Sequence, residues 1–149
     1  NVEVVFPDLH GVHGTAAFSP DKHVLFAGLG GETSDDPAAE REELERLRYP
    51  RWEAEYRLKL VGELTARDLV LMFWTPPAHK GTGTPGSDAI AELVGTHRPR
   101  LALCGGPRRT GMLGRSLLLA PGSLLDGQYA IADLRTHEVE LKEFSAVRA

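Results

Sequence analysis

The strongest constraint on the fold is a buried-strand pattern that occurs twice, with a helical pattern between the two occurrences. Residues 68–74 (DLVLMFW) and 101–104 (LALC) are near-continuous apolar runs, which are typical of strands covered on both faces. Between them, Ser87 or a neighbour is placed to cap a helix that ends near His97. Strand, loop, helix and strand make one βαβ unit, so the sequence predicts an α/β fold with a mixed sheet.

Short strands joined by turns are predicted on both sides of this unit. Before it, strand patterns separated by turn residues indicate an antiparallel meander, at residues 2–6, 15–18 and 23–29. After it, the segment that contains Arg108 and Arg109 is predicted to be a loop. Three further strand patterns follow that loop, at residues 116–119, 128–134 and 137–144.

Two helices are predicted between the meander and the βαβ unit. Residues 38–48 form a charged helix, with acidic residues early and arginines late, as the helix dipole favours. Residues 51–64 form a second helix in which large apolar residues recur every four positions. These residues are Trp52, Tyr56, Leu60 and Leu64. We expect this stripe to pack against the sheet.

Composition narrows the class of protein. The length of 149 residues predicts one domain, and 17 basic against 21 acidic residues give a net charge of −4, which argues against general nucleic-acid binding. No apolar run approaches the roughly 20 residues that span a bilayer, so we expect no membrane partner. Cys104 is the single cysteine, which excludes an intramolecular disulfide and a cysteine-based zinc cage. A cytoplasmic location fits best.

The order of features over residues 68–134 resembles the calcineurin-like metallophosphoesterase family. The matching pieces are the strand 69–74, the loop 75–77, the helix 87–97, the strand 101–105, the strand 117–120, the Pro-Gly-Ser turn 121–123 and the strand 129–134. Residues 1–67 look like the middle of such a domain. The resemblance implies that residues 1–149 are a single partial domain, the C-terminal portion of an αββα sandwich whose N-terminal strands and metal motifs lie outside this chain.

That expectation has a consequence for partners. Without N-terminal strands, we expect an unpaired apolar sheet edge beside residues 69–74 or 101–104, which promotes association. The strands would then be completed by the missing N-terminal segment or by a second copy, so a homo-oligomer is one expected form.

The resemblance also implies where the family's histidines would stand. In the family, histidines at the ends of two strands hold two metal ions that activate water for phosphoester cleavage. Those positions look like Trp74, Gly106 and Arg108 here, and none of these side chains ligates a metal. We therefore expect a degenerate member, a pseudoenzyme without metal cofactor or catalytic residues, in a binding or structural role. The Trp74 indole would fill the former metal pocket.

A second hypothesis keeps the protein an enzyme. Asp8-Leu9-His10-Gly11 spells the family's first metal motif, with His13 three residues on. An unusual set of ligands from outside this chain, together with Asp8, His10 or Glu32, would hold Mn, Fe or Zn for phosphoester hydrolysis. The opposing interpretation of the motif is a polar turn between strands, and the sequence leaves open whether the protein is an enzyme.

A third hypothesis is a phosphate or nucleotide sensor. Four basic side chains follow the two buried strands, namely His79, Lys80, Arg108 and Arg109. Parallel strands end at the same edge of a sheet, where open α/β sheets bind ligands. Converging there, these side chains would bind a phosphate-like anion through forked hydrogen bonds. The alternative is a pair of solvated basic loops that pair with the acidic residues of 32–45.

Overall fold

The computed structural model of the protein describes residues 11–36, 48–64, 66–79 and 85–144. The strands are β1 (Ala16–Phe18), β2 (Val24–Leu29), β3 (Glu32–Ser34), β4 (Arg48–Pro50), β5 (Asp68–Phe73), β6 (Leu101–Cys104), β7 (Arg109–Leu113), β8 (Ser116–Ala120), β9 (Gln128–Ala132) and β10 (Val139–Glu143). The helices are α1 (Arg51–Leu58), continued by a 3-10 turn over Lys59–Glu63, and α2 (Asp88–His97). The strand predicted at 2–6 and most of the helix predicted at 38–48 lie outside the described residues.

Within the described residues, six strands form the main sheet, in the order β1-β2-β5-β6-β8-β7. The four central strands run parallel to one another, and β1 and β7 are antiparallel to their neighbours. This confirms the mixed α/β fold and the βαβ unit. β7 is an addition, because Arg109 begins a strand where we predicted a loop. Its pairing with β8 forms it, since Arg-Thr-Gly-Met-Leu alone is a weak strand pattern.

The sheet confirms one expectation about pairing and corrects another. β2 pairs antiparallel with β1, as predicted for residues 15–18 and 23–29, and it pairs in parallel with β5 on its other side. β5 lies between β2 and β6, and β6 lies between β5 and β8. The prediction of an unpaired edge beside either strand is therefore wrong, because strands from this chain flank both.

Each face of the sheet is covered differently. On one face, α1 and α2 pack their apolar side chains against the central strands, forming the larger core, which includes Leu25, Leu71, Leu58, Ile90 and Val94. On the other face, the hairpin β9–β10 covers a second core made of Val70, Leu101, Leu117 and Leu119. No helix among the described residues is long and apolar enough to cross a bilayer.

The predicted apolar stripe is divided between solvent and the core. Trp52 is 58% exposed and Tyr56 is 72% exposed, whereas Leu60 packs against the larger core. The expectation that the stripe packs on the sheet is therefore confirmed at Leu60 and wrong at Trp52 and Tyr56. Ala54 and Leu58 are the fully buried residues of α1. Both faces of α1 are apolar, and the side that carries Ala54 packs inward because its small side chain allows close approach of helix and sheet.

The N-terminus of α2 is capped twice. The Ser87 hydroxyl accepts a hydrogen bond from the Ile90 amide at 3.2 Å, which confirms the predicted cap. The carboxylate of Asp35, which follows β3, accepts from the Ser87 hydroxyl at 2.9 Å and from the amides of Asp88 at 2.9 Å and Ala89 at 3.0 Å. Asp35 thus ties the β3 region to α2 across more than fifty residues of sequence.

We predict that Asp35→Ala lowers the free energy of unfolding by about 1 kcal/mol at neutral pH, because it removes an acceptor from the start of a helix. Partial burial raises the pKa of the Asp35 carboxyl, but the hydrogen bonds from Ala89, Ser87 and Asp88 outweigh it and hold the pKa below its usual value. Because this pKa is lower in the folded than in the unfolded protein, the ionised Asp35 carboxylate stabilises the fold at pH values above the unfolded pKa. The difference in free energy of unfolding between wild type and Asp35→Ala should therefore shrink as pH falls below about 4.

Chemical denaturation at pH 7 and pH 3 measures both effects. Asp36→Ala is the control, because its side chain makes none of the three contacts to Ser87, Asp88 and Ala89. Equal stability of Asp35→Ala and Asp36→Ala at pH 7 would contradict the prediction.

Candidate functional site

The ends of β5 and β6 lie side by side at the C-terminal edge of the main sheet. Phe73 is in register with Cys104, so the residues that follow, Trp74 and Gly105, are also neighbours. The Gly105 amide donates to the carbonyl oxygens of Phe73 at 3.0 Å and Trp74 at 3.2 Å. Trp74, the first position at which the family resemblance implies a histidine, thus lies next to Gly105, which precedes the second such position at Gly106.

Trp74 stands at this edge on a fixed backbone. Its amide donates to the Leu29 carbonyl at 3.3 Å, and the hydroxyl of the next residue, Thr75, accepts from the Thr33 amide at 2.9 Å. The indole is 66% exposed. It therefore lies beside Gly105 at the strand end, in contact with solvent. That the indole fills the former metal pocket stays a prediction.

Gly105 and Gly106 have different structural reasons to be glycine. A Cβ atom at Gly105 would lie 2.5 Å from the Trp74 carbonyl oxygen, so no side chain fits between these strand ends. Gly106 has a φ of +103°, a backbone conformation that residues with side chains rarely adopt. The backbone at Gly106 therefore disfavours the histidine that the family motif would place there.

The two arginines that follow point to opposite sides, as neighbouring residues at the start of a strand do. The Arg108 guanidinium forms an ion pair with Glu143 and donates to the Lys142 carbonyl oxygen at 2.8 Å, so it binds the end of β10. The guanidinium of Arg109 lies against Gly106, with Nη2 3.6 Å from the position of a Cβ there. The structure does not bring Arg108 to Arg109.

His79 and Arg109 line one small cavity together with Cys104 and Thr110. The His79 Nε2 atom lies 2.8 Å from the Met112 carbonyl oxygen, which only accepts, so Nε2 carries a proton and donates. Burial raises the pKa of the Cys104 thiol and outweighs the opposing effect of Arg109, so the thiol stays protonated. Lys80 lies outside the described residues.

Among the candidates near the start of the chain, Asp8 and His10 lie outside the described residues. His13 and Glu32 are described, and the side chain of each already has a partner. The Gly30 amide donates to His13 Nδ1 at 3.0 Å, and the Tyr49 hydroxyl lies 3.2 Å from its Nε2. Both ring nitrogens of His13 therefore have partners. Glu32 forms an ion pair with Arg48 at 3.4 Å.

The residues at this edge do not fit a dinuclear metal centre. Trp74, Gly106 and Arg108 offer no side-chain lone pair to a divalent cation, because indole and guanidinium groups only donate and glycine has no side chain. Within residues 11–36, 48–64, 66–79 and 85–144, no three His, Cys, Asp or Glu side chains group closely enough to hold a metal ion. The positions after β5 and β6 where the resemblance implies histidines therefore supply no side-chain ligand.

Sequence reasoning missed the partners of the two arginines. The strand β7 makes Arg108 and Arg109 diverge, and the only sequence signal for β7 is the Gly114-Arg115 turn before the apolar run of β8. Glu143, which binds Arg108, is 35 residues away and carries no motif. Only the docking of the β9–β10 hairpin on the sheet brings it to Arg108.

Comparisons with known proteins agree with this fold. A sequence model of the metallophosphoesterases of the calcineurin superfamily matches residues 1–144. The crystal structure of TT1561 from Thermus thermophilus is similar, with 43% identity and a TM-score of 0.85, over 96% of this chain and 63% of that one. A second crystal structure has 29% identity and a TM-score of 0.80, over 96% of this chain and 57% of its own.

This chain thus spans less than two thirds of the length of either solved relative. The comparison with curated proteins found no match. Because the family match covers nearly the whole sequence and the fold agrees, the chain belongs to the metallophosphoesterase family of the calcineurin superfamily.

Proposed function

We propose that this metallophosphoesterase domain is degenerate, lacks a competent dinuclear metal site, and serves a binding or structural role. The observation that carries the proposal is that Trp74 at the end of β5 lies beside the Gly105-Gly106 pair at the end of β6. These strand ends are where the family resemblance places metal-binding histidines. An indole and a glycine pair occupy them here.

The backbone supports the proposal beyond the identity of the side chains. The positive φ at Gly106 disfavours a histidine, and Arg108 is committed to Glu143 and the Lys142 carbonyl. Two-metal hydrolysis requires ligands that clamp both ions near the attacking and leaving oxygens. Substitution at three positions of one ligand set therefore weakens metal binding more than substitution at one position would.

The competing enzyme hypothesis assigns the metal ligands to residues outside this chain, together with Asp8, His10 or Glu32. Of these, the structure describes Glu32, whose carboxylate pairs with Arg48 at 3.4 Å. This pairing uses one oxygen of the Glu32 carboxylate, Oε1, and leaves the other as an acceptor. Metal analysis of the full chain separates the two hypotheses directly.

We predict that the full-length protein retains less than about one equivalent of tightly bound Mn, Fe or Zn, because the strand-end ligands are replaced. We also expect no hydrolysis of a generic phosphodiester above background with added Mn²⁺. Elemental analysis and a chromogenic phosphodiesterase assay measure these outcomes. Two metal ions per chain, with hydrolysis that is lost in His10→Ala and retained in the control His23→Ala, would overturn the proposal.

A specific observation favours a second candidate function, the binding of a phosphate-like anion. Arg109 and His79 line the same small cavity, and the Arg109 guanidinium lies against Gly106 at the C-terminal edge of the sheet. The Arg109 guanidinium is suited to phosphate oxygens, whereas the Nε2–H of His79 is already donated to the Met112 carbonyl oxygen. The Arg108 guanidinium binds β10, so we place the anion site at Arg109 and not at Arg108.

We predict weak phosphate binding, with a Kd of about 1 mM, because few forked contacts are available. Arg109→Ala should abolish the binding measured by titration calorimetry, whereas the control Arg115→Ala, in the exposed turn before β8, should retain it. Binding should weaken as salt rises, since exposed charges are screened. No heat from phosphate in the wild-type protein, or unchanged binding in Arg109→Ala, would exclude the site.

Arg108→Ala gives the other half of this test. It should leave phosphate binding intact and lower the free energy of unfolding by about 1 kcal/mol, because it removes hydrogen bonds from a charged donor to β10. The loss of phosphate binding in Arg108→Ala at unchanged stability would show that Arg108, and not Arg109, faces the anion.

A further inference from the structure

The outer face of α1 exposes aromatic side chains that the core does not use. Trp52 and Tyr56 are four residues apart and therefore lie on one side of the helix. Both are well exposed, while Ala54 and Leu58 fill the opposite side. Grooves flank the two aromatic side chains on each side of the helix, and Lys59 borders both grooves. Exposed apolar surface of this kind marks interaction sites in soluble proteins.

This face is held in place by contacts on both of its flanks. Arg51 donates to Glu55 at 2.9 Å and forms an ion pair with Glu92 of α2. On the other flank, Arg57 pairs with Glu53 and lies 5.2 Å from the ring centroid of Tyr49. The backbone of α1 is therefore preformed, and binding through Trp52 and Tyr56 does not require the helix to order.

The charges around the two aromatic residues are mixed in sign and arranged in order along the helix. Between Arg51 at the start of α1 and Glu63 after its end, acidic residues precede basic ones, in the order Glu53, Glu55, Arg57 and Lys59. A partner surface of one sign would meet repulsion from half of these residues. A partner helix with the same order of charges, lying antiparallel to α1, would place opposite charges next to each other along both flanks.

We infer that this face binds the same face of a second copy of the chain, with the two α1 helices antiparallel and a two-fold axis beside Tyr56. Helical geometry then places Glu53 of each copy near Arg57 of the other on one flank. On the other flank it places Glu55 of each copy near Lys59 of the other. Trp52 packs near Leu60 of the other copy, so the large apolar groups are buried at the centre.

The location of this face favours a second copy of the chain as its partner, and not strands that complete the domain fold. α1 covers the face of the main sheet opposite to the β9–β10 hairpin. The outer face of α1 therefore points away from the hairpin, on the opposite side of the main sheet.

Sedimentation velocity of the full-length protein over a range of concentrations tests the inference. We expect the wild-type protein to dimerise, and Tyr56→Asp to raise the dimer dissociation constant at least about tenfold, because it places like charges together at the two-fold axis. The melting temperature should be unchanged, since Tyr56 is largely exposed. The control is Leu125→Asp, which introduces the same charge at a side chain that is 94% exposed beside the hairpin, and it should remain dimeric.

A charge exchange tests the antiparallel arrangement itself. Lys59→Glu should weaken the dimer, and the double change Glu55→Lys with Lys59→Glu should restore it, because the exchanged pair is again complementary between copies. A wild-type protein that stays monomeric at about 100 μM would overturn the inference, since a specific interface of this kind should hold at micromolar concentration. Equal dimerisation of Tyr56→Asp and Leu125→Asp would also overturn it.

Discussion

The parallel pairing of β5 with β6 is the constraint on which the rest of this structure depends. Its register, from Val70 opposite Leu101 to Phe73 opposite Cys104, aligns the two strand ends at one edge of the sheet. The same pairing sets the two cores, because alternate residues of each strand point to the helical layer and to the β9–β10 hairpin. A slip of one residue would exchange these faces and expose both cores.

The strand ends separate steric constraints from chemical ones. Gly105 retains the glycine of the family's strand-end motif, and the close approach of the Trp74 carbonyl explains why any side chain would clash there. At Gly106 the constraint comes from the backbone, whose φ of +103° favours glycine. Packing and backbone conformation therefore both act on the residues that follow β6.

Arg108 and Arg109 show how one strand divides a cluster that is continuous in sequence. Adjacent residues of an extended chain point in opposite directions, so a basic pair cannot converge on one ligand from the start of β7. Arg108 becomes part of the contact between β10 and the main sheet, and Arg109 faces the cavity beside His79. The two roles differ in kind, since one stabilises the fold and the other lines the candidate anion site.

The sequence by itself determined the βαβ unit, the Ser87 cap and the family, because these depend on local patterns of apolar residues and turns. Only the tertiary structure decided which side of α1 is buried, since Ala54 with Leu58 and Trp52 with Tyr56 both form apolar stripes at helical spacing. It also decided the strand β7 and the partner of Arg108, because these arise from pairing with β8 and from Glu143, 35 residues away. Local pattern specifies an element, whereas contacts between distant segments select the face it buries and the partners of its charged side chains.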